Sequence, residues 1–381
     1  MYRFWVFLGV KSKDEEKGNG DMKLIHCADL HLDSKMESNL NKDQATLRRG
    51  ELLESFERMV DYAQNEAVDA ILIAGDMFDK THIRKEAKKR VMTAISTHEN
   101  IEFYYIRGNH DRCDFIVDGV DEVPQNLHLF SEEGWTSYSF KDVVITGMEL
   151  SSANVSTMAT KLVLNQTDCN IVMLHGQRSD YDGKDGAEII NTTSLKGKYI
   201  DYLALGHIHS YEQGPIDDRG VYCYSGCLEG RGFDETGDKG FVMLTVEDGK
   251  IESEFIPFAY RRLHEIEVKQ TSDMETLEIL DACREACDDV DPQDLVKFVI
   301  TGQREVDDSV DVDRIVRTFE SKYFFVKCYD KTKKMVDYDS FAYDKSLKGE
   351  FVRLMKDQDM DEDMKSAIVE LGIKAIMGED I

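Results

Sequence analysis

Five short apolar runs in the chain each lead into a cluster of aspartate, asparagine or histidine residues, and this repeated pattern constrains the fold most. A short apolar run bounded by polar and turn residues is typical of a buried strand. Segments with helical spacing separate the first three runs, and strands that alternate with helices predict an α/β layered core. The clusters are Asp29-Leu30-His31, Gly75-Asp76-Met77-Phe78-Asp79, Arg107-Gly108-Asn109-His110-Asp111, His175-Gly176 and Gly206-His207-Ile208-His209.

The histidine doublet at 207 and 209 follows the apolar run Tyr202-Leu203-Ala204-Leu205. Residues two apart in an extended segment point to the same side, so both imidazoles can face one site. In open α/β sheets, ligands bind in the crevice beyond the carboxyl ends of the strands. The clusters therefore predict one site that collects side chains from five strand ends.

Seven side chains from these clusters offer oxygen or imidazole nitrogen donors, and none of them is a thiolate. Such a mixture suits Mn²⁺, Fe²⁺ or Zn²⁺ at a catalytic site more than a structural zinc site. Seven ligands are too many for one ion but suit two ions that share one carboxylate, and two-metal sites favour in-line displacement at phosphorus. The seven candidates are Asp29, His31, Asp76, Asn109, His175, His207 and His209.

The composition is that of a soluble globular protein, and 381 residues suffice for two domains, one of them large. The formal net charge of −28 argues against a protein that holds nucleic acid on a broad basic surface. It does not exclude a nucleic-acid enzyme, because bound divalent cations cancel acidic ligands locally. Eight scattered cysteines do not indicate a disulfide framework in a chain of this size, and reduced thiols predict a cytoplasmic setting without a membrane segment.

The sequence pattern divides the chain into four parts. Residues 1–21 hold an apolar stretch too short to span a bilayer, and they indicate a disordered extension or a start assigned too early, with the true start at Met22. Residues 22–262 form the large domain, in which a helix is predicted from Asn154 to Asn165 and antiparallel strands after residue 220. Residues 263–335 predict a small β-α-β-α-β domain, and residues 336–381 predict a helical tail that either packs on its own domain or docks on a partner.

In their order and spacing, the five clusters resemble the five motifs of the calcineurin-like metallophosphoesterases over about residues 22 to 265. The resemblance implies a four-layer α-β-β-α sandwich, with a small α+β capping domain and a helical tail after it, and a site for two divalent metal ions. The implied ligands are Asp29, His31 and His209 for the first ion, Asn109, His175 and His207 for the second, and Asp76 as the bridge between them.

The same resemblance implies roles for three residues beside the ligands. His110 is the acid expected to protonate the leaving oxygen, and Asp79 is expected to orient it. Arg107 can meet either the phosphate of the substrate or a carboxylate of the protein.

Two further stretches, Ile25 to Asp33 and Tyr224 to Glu235, are similar to SbcD-type DNA exonuclease subunits, although Ser225 stands where that pattern commonly has proline. The small β-α-β-α-β domain resembles the capping domain with which those nucleases bind and select DNA. Residues 226–234 and the helical tail resemble the YhaO-type branch of DNA repair exonucleases, which pair with an SbcC-like coiled-coil ATPase.

The resemblance implies a two-metal phosphodiesterase that works as a DNA repair exonuclease or endonuclease subunit. Mn²⁺ is the expected ion, DNA the expected substrate, an SbcC-like ATPase the expected partner and a homodimer the expected assembly. The acidic charge favours an alternative, a phosphoesterase that acts on a small nucleotide or a phosphoprotein. A third alternative is a non-catalytic scaffold that binds a partner through its tail.

Overall fold

The structure of the chain is a computed structural model that describes residues 21–36, 40–79, 83–111, 123–179, 189–305 and 309–378. The extension predicted over residues 1–21 lies outside the described residues, except for Asp21. In chain order the described strands are β1 (Met22–Cys27), β2 (Ala70–Ala74), β3 (Glu102–Ile106), β4 (Leu127–Leu129), β5 (Thr136–Phe140), β6 (Val143–Gly147), β7 (Cys169–His175), β8 (Gln177–Ser179), β9 (Ile189–Asn191), β10 (Tyr202–Gly206), β11 (Glu212–Pro215), β12 (Val221–Tyr224), β13 (Gly240–Glu247), β14 (Lys250–Pro257), β15 (Leu263–Gln270), β16 (Leu295–Glu305), β17 (Phe325–Asp330) and β18 (Lys333–Met335). The described α-helices are α1 (Lys42–Asn65), α2 (Lys85–Thr97), α3 (Met158–Lys161), α4 (Thr276–Ala286), α5 (Val312–Phe319), α6 (Leu347–Lys356) and α7 (Glu362–Met377).

Two six-stranded sheets form the larger part of the fold. In the first sheet the order is β14-β13-β1-β2-β3-β4, with β1 to β4 parallel to one another and β13 antiparallel to β1. In the second sheet the order is β11-β12-β10-β7-β6-β5, with four parallel central strands and an antiparallel strand at each edge. A small two-stranded sheet of β8 and β9 follows β7.

Three apolar cores separate four layers, because the central strands of both sheets bury side chains on both faces. Ile25 on the first sheet packs with Phe56 beneath α1 and α2. Leu72 and Tyr202 belong to the core between the two sheets. A third core, which includes Leu195, covers the outer face of the second sheet. This is the four-layer α-β-β-α arrangement that the resemblance implies.

The local sequence of α1 explains the layer outside the first sheet. Asn41 accepts hydrogen bonds from the backbone N–H groups of Asp43 and Gln44, and its own backbone N–H donates to the Gln44 side chain. This capping box satisfies donors that the first helical turn would otherwise leave unpaired. Leu52 and Phe56 lie four residues apart, and both are buried on the face that packs on the sheet.

The helix predicted from Asn154 to Asn165 is wrong in length. The structure has a 3₁₀ turn at Val155–Thr157 and then the single turn of α3. The segment is rich in β-branched residues, which have low helix propensity. Met158 and Leu162 are nevertheless buried in the third core. The apolar spacing therefore predicted the buried residues correctly but the length of the helix incorrectly.

Residues 263–335, called the module below, contain a parallel sheet in the order β15-β16-β17, with β18 beside the far end of β16. The helices α4 and α5 cover one face of this sheet, and Phe298 and Phe319 lie in the core between them. After the module, α6 and α7 pack together around Val352 and Val369. The domain boundary at residue 262 stays a prediction.

No helix within the described residues combines the length and the apolar character that a membrane span requires. The seven cysteines in those ranges are buried free thiols.

A buried network of ion pairs joins α1 to the module. Glu51 of α1 accepts hydrogen bonds from Arg48 Nη1 at 2.6 Å and from Arg261 Nη2 at 2.6 Å. Arg48 also lies 3.3 Å from a carboxylate oxygen of Glu229. The guanidinium carbon of Arg261 lies 3.9 Å from the ring centroid of Phe324 in the module. All four charged side chains are buried, so they depend on one another for charge compensation.

We expect Glu51→Ala to lower the free energy of unfolding by about 3–5 kcal/mol, because it leaves two buried arginines without their shared carboxylate. Urea titration followed by circular dichroism measures the loss. The control is Glu54→Ala, which removes an exposed carboxylate from the same helix and should change stability by less than about 0.5 kcal/mol. Equal losses in the two variants would contradict the importance of the network.

Candidate metal centre

The carboxyl ends of strands from both sheets meet at one edge of the sandwich, and the five polar clusters lie there. The backbone N–H of Asp29 donates to the Gly75 carbonyl at 3.0 Å, which joins the ends of β1 and β2. Gly206, at the end of β10, approaches the first sheet so closely that an added Cβ would lie 2.0 Å from the Ala74 carbonyl oxygen. The two sheets are thus in direct backbone contact at this edge.

Four of the seven predicted ligands have left-handed backbone conformations, which residues other than glycine rarely adopt. Their φ angles are 51° for Asp29, 42° for His31, 51° for Asp76 and 102° for His207. Such conformations are costly and cluster at functional sites, where the surrounding structure holds them. Here a hydrogen bond of 2.9 Å from the His31 N–H to the Asp76 carbonyl holds two of these turns against each other.

Asp29, His31 and His209 form one group, with ligand atoms that all lie within 4.8 Å of one another. His31 Nε2 lies 3.2 Å from His209 Nε2, and His209 Nε2 lies 4.0 Å from Asp29 Oδ1. The Asp29 carboxylate accepts the backbone N–H of His207 at 2.9 and 3.0 Å, which fixes its orientation. These are the three residues that the resemblance implies for the first ion.

Asp76, Asn109, His175 and His207 form a second group beside the first. His175 Nε2 lies 3.0 Å from Asn109 Oδ1 and 3.4 Å from Asp76 Oδ2. His207 Nδ1 lies 3.4 Å from Asn109 Oδ1. Asp76 Oδ2 also lies 3.8 Å from His31 Nε2, so this carboxylate stands between the two groups.

Asp29 and Asp76 are buried carboxylates, and a buried carboxylate is costly without compensating positive charge. Burial raises the pKa of Asp29 to about 6. Burial also acts to raise the pKa of Asp76, but the hydrogen bond and charge of His175 outweigh it and lower that pKa to about 2. Burial would lower the pKa of His175, yet Asp76 raises it to about 9. A site with this demand for positive charge, built from oxygen and imidazole donors, fits divalent cations.

His110 and Asp79 lie beside the two groups. His110 Nδ1 donates to Asp79 Oδ1 at 3.0 Å, and the Ser34 hydroxyl donates to Asp79 Oδ2 at 3.0 Å. The bond to Asp79 raises the pKa of His110, and the same bond lowers the pKa of Asp79. The His110 side chain is 39% exposed whereas that of His31 is fully buried, so a bound substrate can reach His110.

For Arg107 the sequence allows two partners, a substrate phosphate or a protein carboxylate, and the structure places it on a carboxylate. Its Nη2 and Nε donate to Glu149 Oε2 at 2.7 and 2.9 Å. The Arg107 backbone N–H also donates to Glu149 Oε1, at 3.2 Å. One edge of the guanidinium is therefore engaged by the protein.

Asp111 belongs to the third cluster, but sequence reasoning gave it no role. Its carboxylate accepts backbone N–H groups from Met77 and Phe78 after β2 and from Gly108 after β3, at 2.9 to 3.0 Å. Asp111 thus joins the two loops that carry Asp76 and the third cluster. Burial raises its pKa to about 6.

Glu235 and Arg231, in the loop between β12 and β13, also reach the site, and sequence reasoning assigned neither a role. Glu235 Oε1 accepts His209 Nδ1 at 2.7 Å and Arg231 Nη2 at 2.8 Å. Burial would raise the pKa of Glu235, but these hydrogen bonds hold it below its usual range. Both residues lie in the stretch from 224 to 235 that carries the SbcD-type resemblance, which was the one available signal.

Residues 22–211 match the family model of the calcineurin-like phosphoesterases. The uncharacterized metallophosphoesterase YhaO of Bacillus subtilis (strain 168) is 33% identical over 260 residues, which are 65% of this chain and 61% of that protein. The matched part of the chain thus spans about three fifths of that relative's length. Residues 22–211 thus match the calcineurin-like phosphoesterases, and the predicted similarity of the chain to the YhaO type is confirmed.

Two solved structures give distant matches. TT1561 of Thermus thermophilus has a TM-score of 0.41 at 13% identity, over 62% of this chain and 99% of that chain. A dimetal phosphatase from Danio rerio has a TM-score of 0.41 at 11% identity, over 61% of this chain and 98% of that chain.

We expect Gly108→Ala to weaken the binding of Mn²⁺ by about tenfold or more. An added Cβ would lie 2.2 Å from Asp76 Oδ1 and 2.6 Å from the Asp76 backbone nitrogen, so the carboxylate between the two groups must move. Isothermal titration calorimetry measures the affinity. Gly50→Ala is the matched control, because a Cβ there meets no heavy atom within 4 Å. Equal affinities in the two variants would contradict the placement of Asp76 in the metal site.

Proposed function

We propose that the protein is a two-metal-dependent phosphodiesterase that cleaves DNA as the nuclease subunit of a complex with an SbcC-like ATPase. The observation that carries the catalytic part is the convergence of oxygen and nitrogen donors in two adjoining groups, with the His110–Asp79 pair beside them. The match of residues 22–211 to the calcineurin-like phosphoesterases supports phosphoester chemistry at this site.

Two divalent ions fit the donor set, and Mn²⁺ is the expected ion because carboxylate, amide and imidazole donors suit it. The chemistry that two such ions supply is the activation of water as a nucleophile and the neutralisation of charge at the phosphoryl oxygens. In the proposal the ligands are Asp29, His31 and His209 for the first ion, Asn109, His175 and His207 for the second, and Asp76 for both.

The His110–Asp79 pair serves the leaving group. Asp79 accepts a hydrogen bond from the Nδ1–H group of His110, so Nε2 is the ring nitrogen that can donate a proton to the substrate. Expulsion of a sugar hydroxyl as an alkoxide requires that proton, and a general acid contributes roughly 10²–10⁴-fold to such a step. Ser34 holds the other oxygen of Asp79 and so helps to orient the imidazole.

The proposal of DNA as substrate rests on the resemblance of residues 226–234 and of the module to DNA exonuclease subunits. The net charge of −28 requires any contact with backbone phosphates to be local. The helix α2 offers a local basic surface shortly after Asp79, since Lys85 and Lys89 are exposed on it. The SbcC-like ATPase and a homodimeric assembly are proposed on the same YhaO-type resemblance.

A phosphoesterase that acts on a small nucleotide or a phosphoprotein is the second candidate. The strongly acidic composition favours it, because a small substrate needs no extended basic track.

We expect the purified protein with Mn²⁺ to degrade labelled duplex DNA, and EDTA to abolish the activity. His110→Ala should lower the rate roughly 10²–10⁴-fold while both ions still bind, because it removes only the proton donor. A panel of duplex DNA, single-stranded DNA, cyclic nucleotides and a phosphopeptide, assayed at stated salt, identifies the substrate. Calorimetry with Mn²⁺ shows whether the variant keeps its ions.

His98→Ala is the matched control, since it removes a partly exposed imidazole that pairs with Asp61 away from the site, and it should keep full activity. Turnover of cyclic nucleotides or the phosphopeptide without turnover of DNA would decide for the second candidate. Metal-loaded protein that is inert on every substrate, also with its ATPase partner, would refute catalysis.

A further inference from the structure

The loop between β12 and β13 reaches the first group of metal ligands through one buried carboxylate. Glu235 Oε1 accepts His209 Nδ1 at 2.7 Å, and Glu235 Oε2 accepts the backbone N–H of Arg231 at 2.7 Å. The Glu235 side chain is only 6% exposed. Hydrogen bonds therefore fix both carboxylate oxygens of Glu235 and its orientation toward the imidazole of His209.

This contact determines which nitrogen of His209 can bind a metal ion. With the Nδ1 proton donated to Glu235, the free lone pair of the ring is on Nε2. That is the atom 3.2 Å from His31 Nε2 and 4.0 Å from Asp29 Oδ1. Carboxylates that hold the distal N–H of a metal-binding histidine commonly set its tautomer and raise its affinity for the ion.

Arg231 connects this carboxylate to the one that holds His110. Its Nη2 donates to Glu235 Oε1 at 2.8 Å, and its Nη1 lies 4.0 Å from Asp79 Oδ2. One guanidinium thus lies between the carboxylate partners of His209 and His110. Within the described part of the chain, the buried Nε of Arg231 has no hydrogen-bond partner. A buried polar group without a partner is costly, which indicates that packing alone does not explain the arginine.

We propose that Glu235 and Arg231 are positioning residues of the first metal site. Glu235 orients His209 so that Nε2 is the nitrogen that binds the ion. Arg231 fixes the distance between Glu235 and Asp79, and through them the distance between the first metal site and the proton donor His110. This inference rests on the proposed two-metal function. It gives a physical role to Glu235 and Arg231, to which the proposed function assigns none.

A purely structural role for the loop makes a different prediction. Phe233 of the same loop lies 6.1 Å, centroid to centroid, from Phe325 of β17 in the module, so the loop also packs. If packing were the whole role, substitution of Glu235 would lower the stability of the protein and weaken the binding of both ions equally. If Glu235 positions His209, the loss falls on one ion.

The test is Glu235→Gln, titrated with Mn²⁺ by isothermal titration calorimetry in the absence of any substrate. We expect wild type to bind two ions. In the variant one binding step should weaken by about ten- to hundredfold, and the other should stay within about twofold. His209→Gln should weaken the same step. The control Asp238→Asn, an exposed carboxylate of the same loop that pairs with Arg262, should change neither step.

Arg231→Met and Arg231→Lys provide a second measurement that does not depend on the folding of Glu235→Gln. The methionine should weaken the same step about tenfold, and the lysine, which restores the charge, should recover part of the loss. Thermal unfolding by circular dichroism reports the stability of each variant. Failure of wild type to bind two ions would overturn the proposed function itself. Two ions in wild type with both steps unchanged, or both weakened equally, in the Glu235 and Arg231 variants would overturn this inference alone.

Discussion

The burial of Asp29 and Asp76 at the edge where the two sheets meet is the constraint on which the rest of the site depends. Each carboxylate costs several kcal/mol to bury unless hydrogen bonds and opposite charge compensate it. The backbone N–H of His207 satisfies Asp29, and the backbone N–H of His110 donates to Asp76 at 2.8 Å. The backbone has positive φ angles at Asp29, Asp76 and His207, in the turns after the strands. The strained turns, the close glycine contacts and the polar clusters thus occur together at the edge where the two carboxylates are buried.

Much of this could be predicted from the sequence, because the relevant signals are local. A buried strand shows as a short apolar run, and the ligands lie at or within a few residues of a strand end, so topology brings them to one edge. The structure brings the seven predicted side chains together in two adjoining groups, and their role as metal ligands stays a prediction. The helix from Asn154 to Asn165 failed for a related reason. Its apolar spacing indicates which side chains are buried, but spacing alone does not distinguish one helical turn from three.

The contacts that the sequence did not predict are pairings between distant residues. Glu149 lies 42 residues from Arg107, and Glu235 lies 26 residues from His209. No periodicity relates such pairs, and the charges of both glutamates are ordinary in a chain with 75 acidic residues. The alternative that Arg107 meets a carboxylate stayed open for this reason. Only the three-dimensional arrangement shows that the end of β6, in the other sheet, supplies that carboxylate.

The module packs against residues of the large domain. Arg261 binds Glu51 of α1 and lies over Phe324 of the module, and the Gln44 side chain donates to the Phe324 carbonyl at 3.0 Å. The loop that carries Glu235 also contains Glu229, a member of the same buried network. A displacement of the module would have to break the contact between Arg261 and Phe324 and the hydrogen bond from Gln44. One loop therefore carries Glu235, which contacts His209, and also Phe233, which packs on the module, and Glu229, which belongs to the buried network.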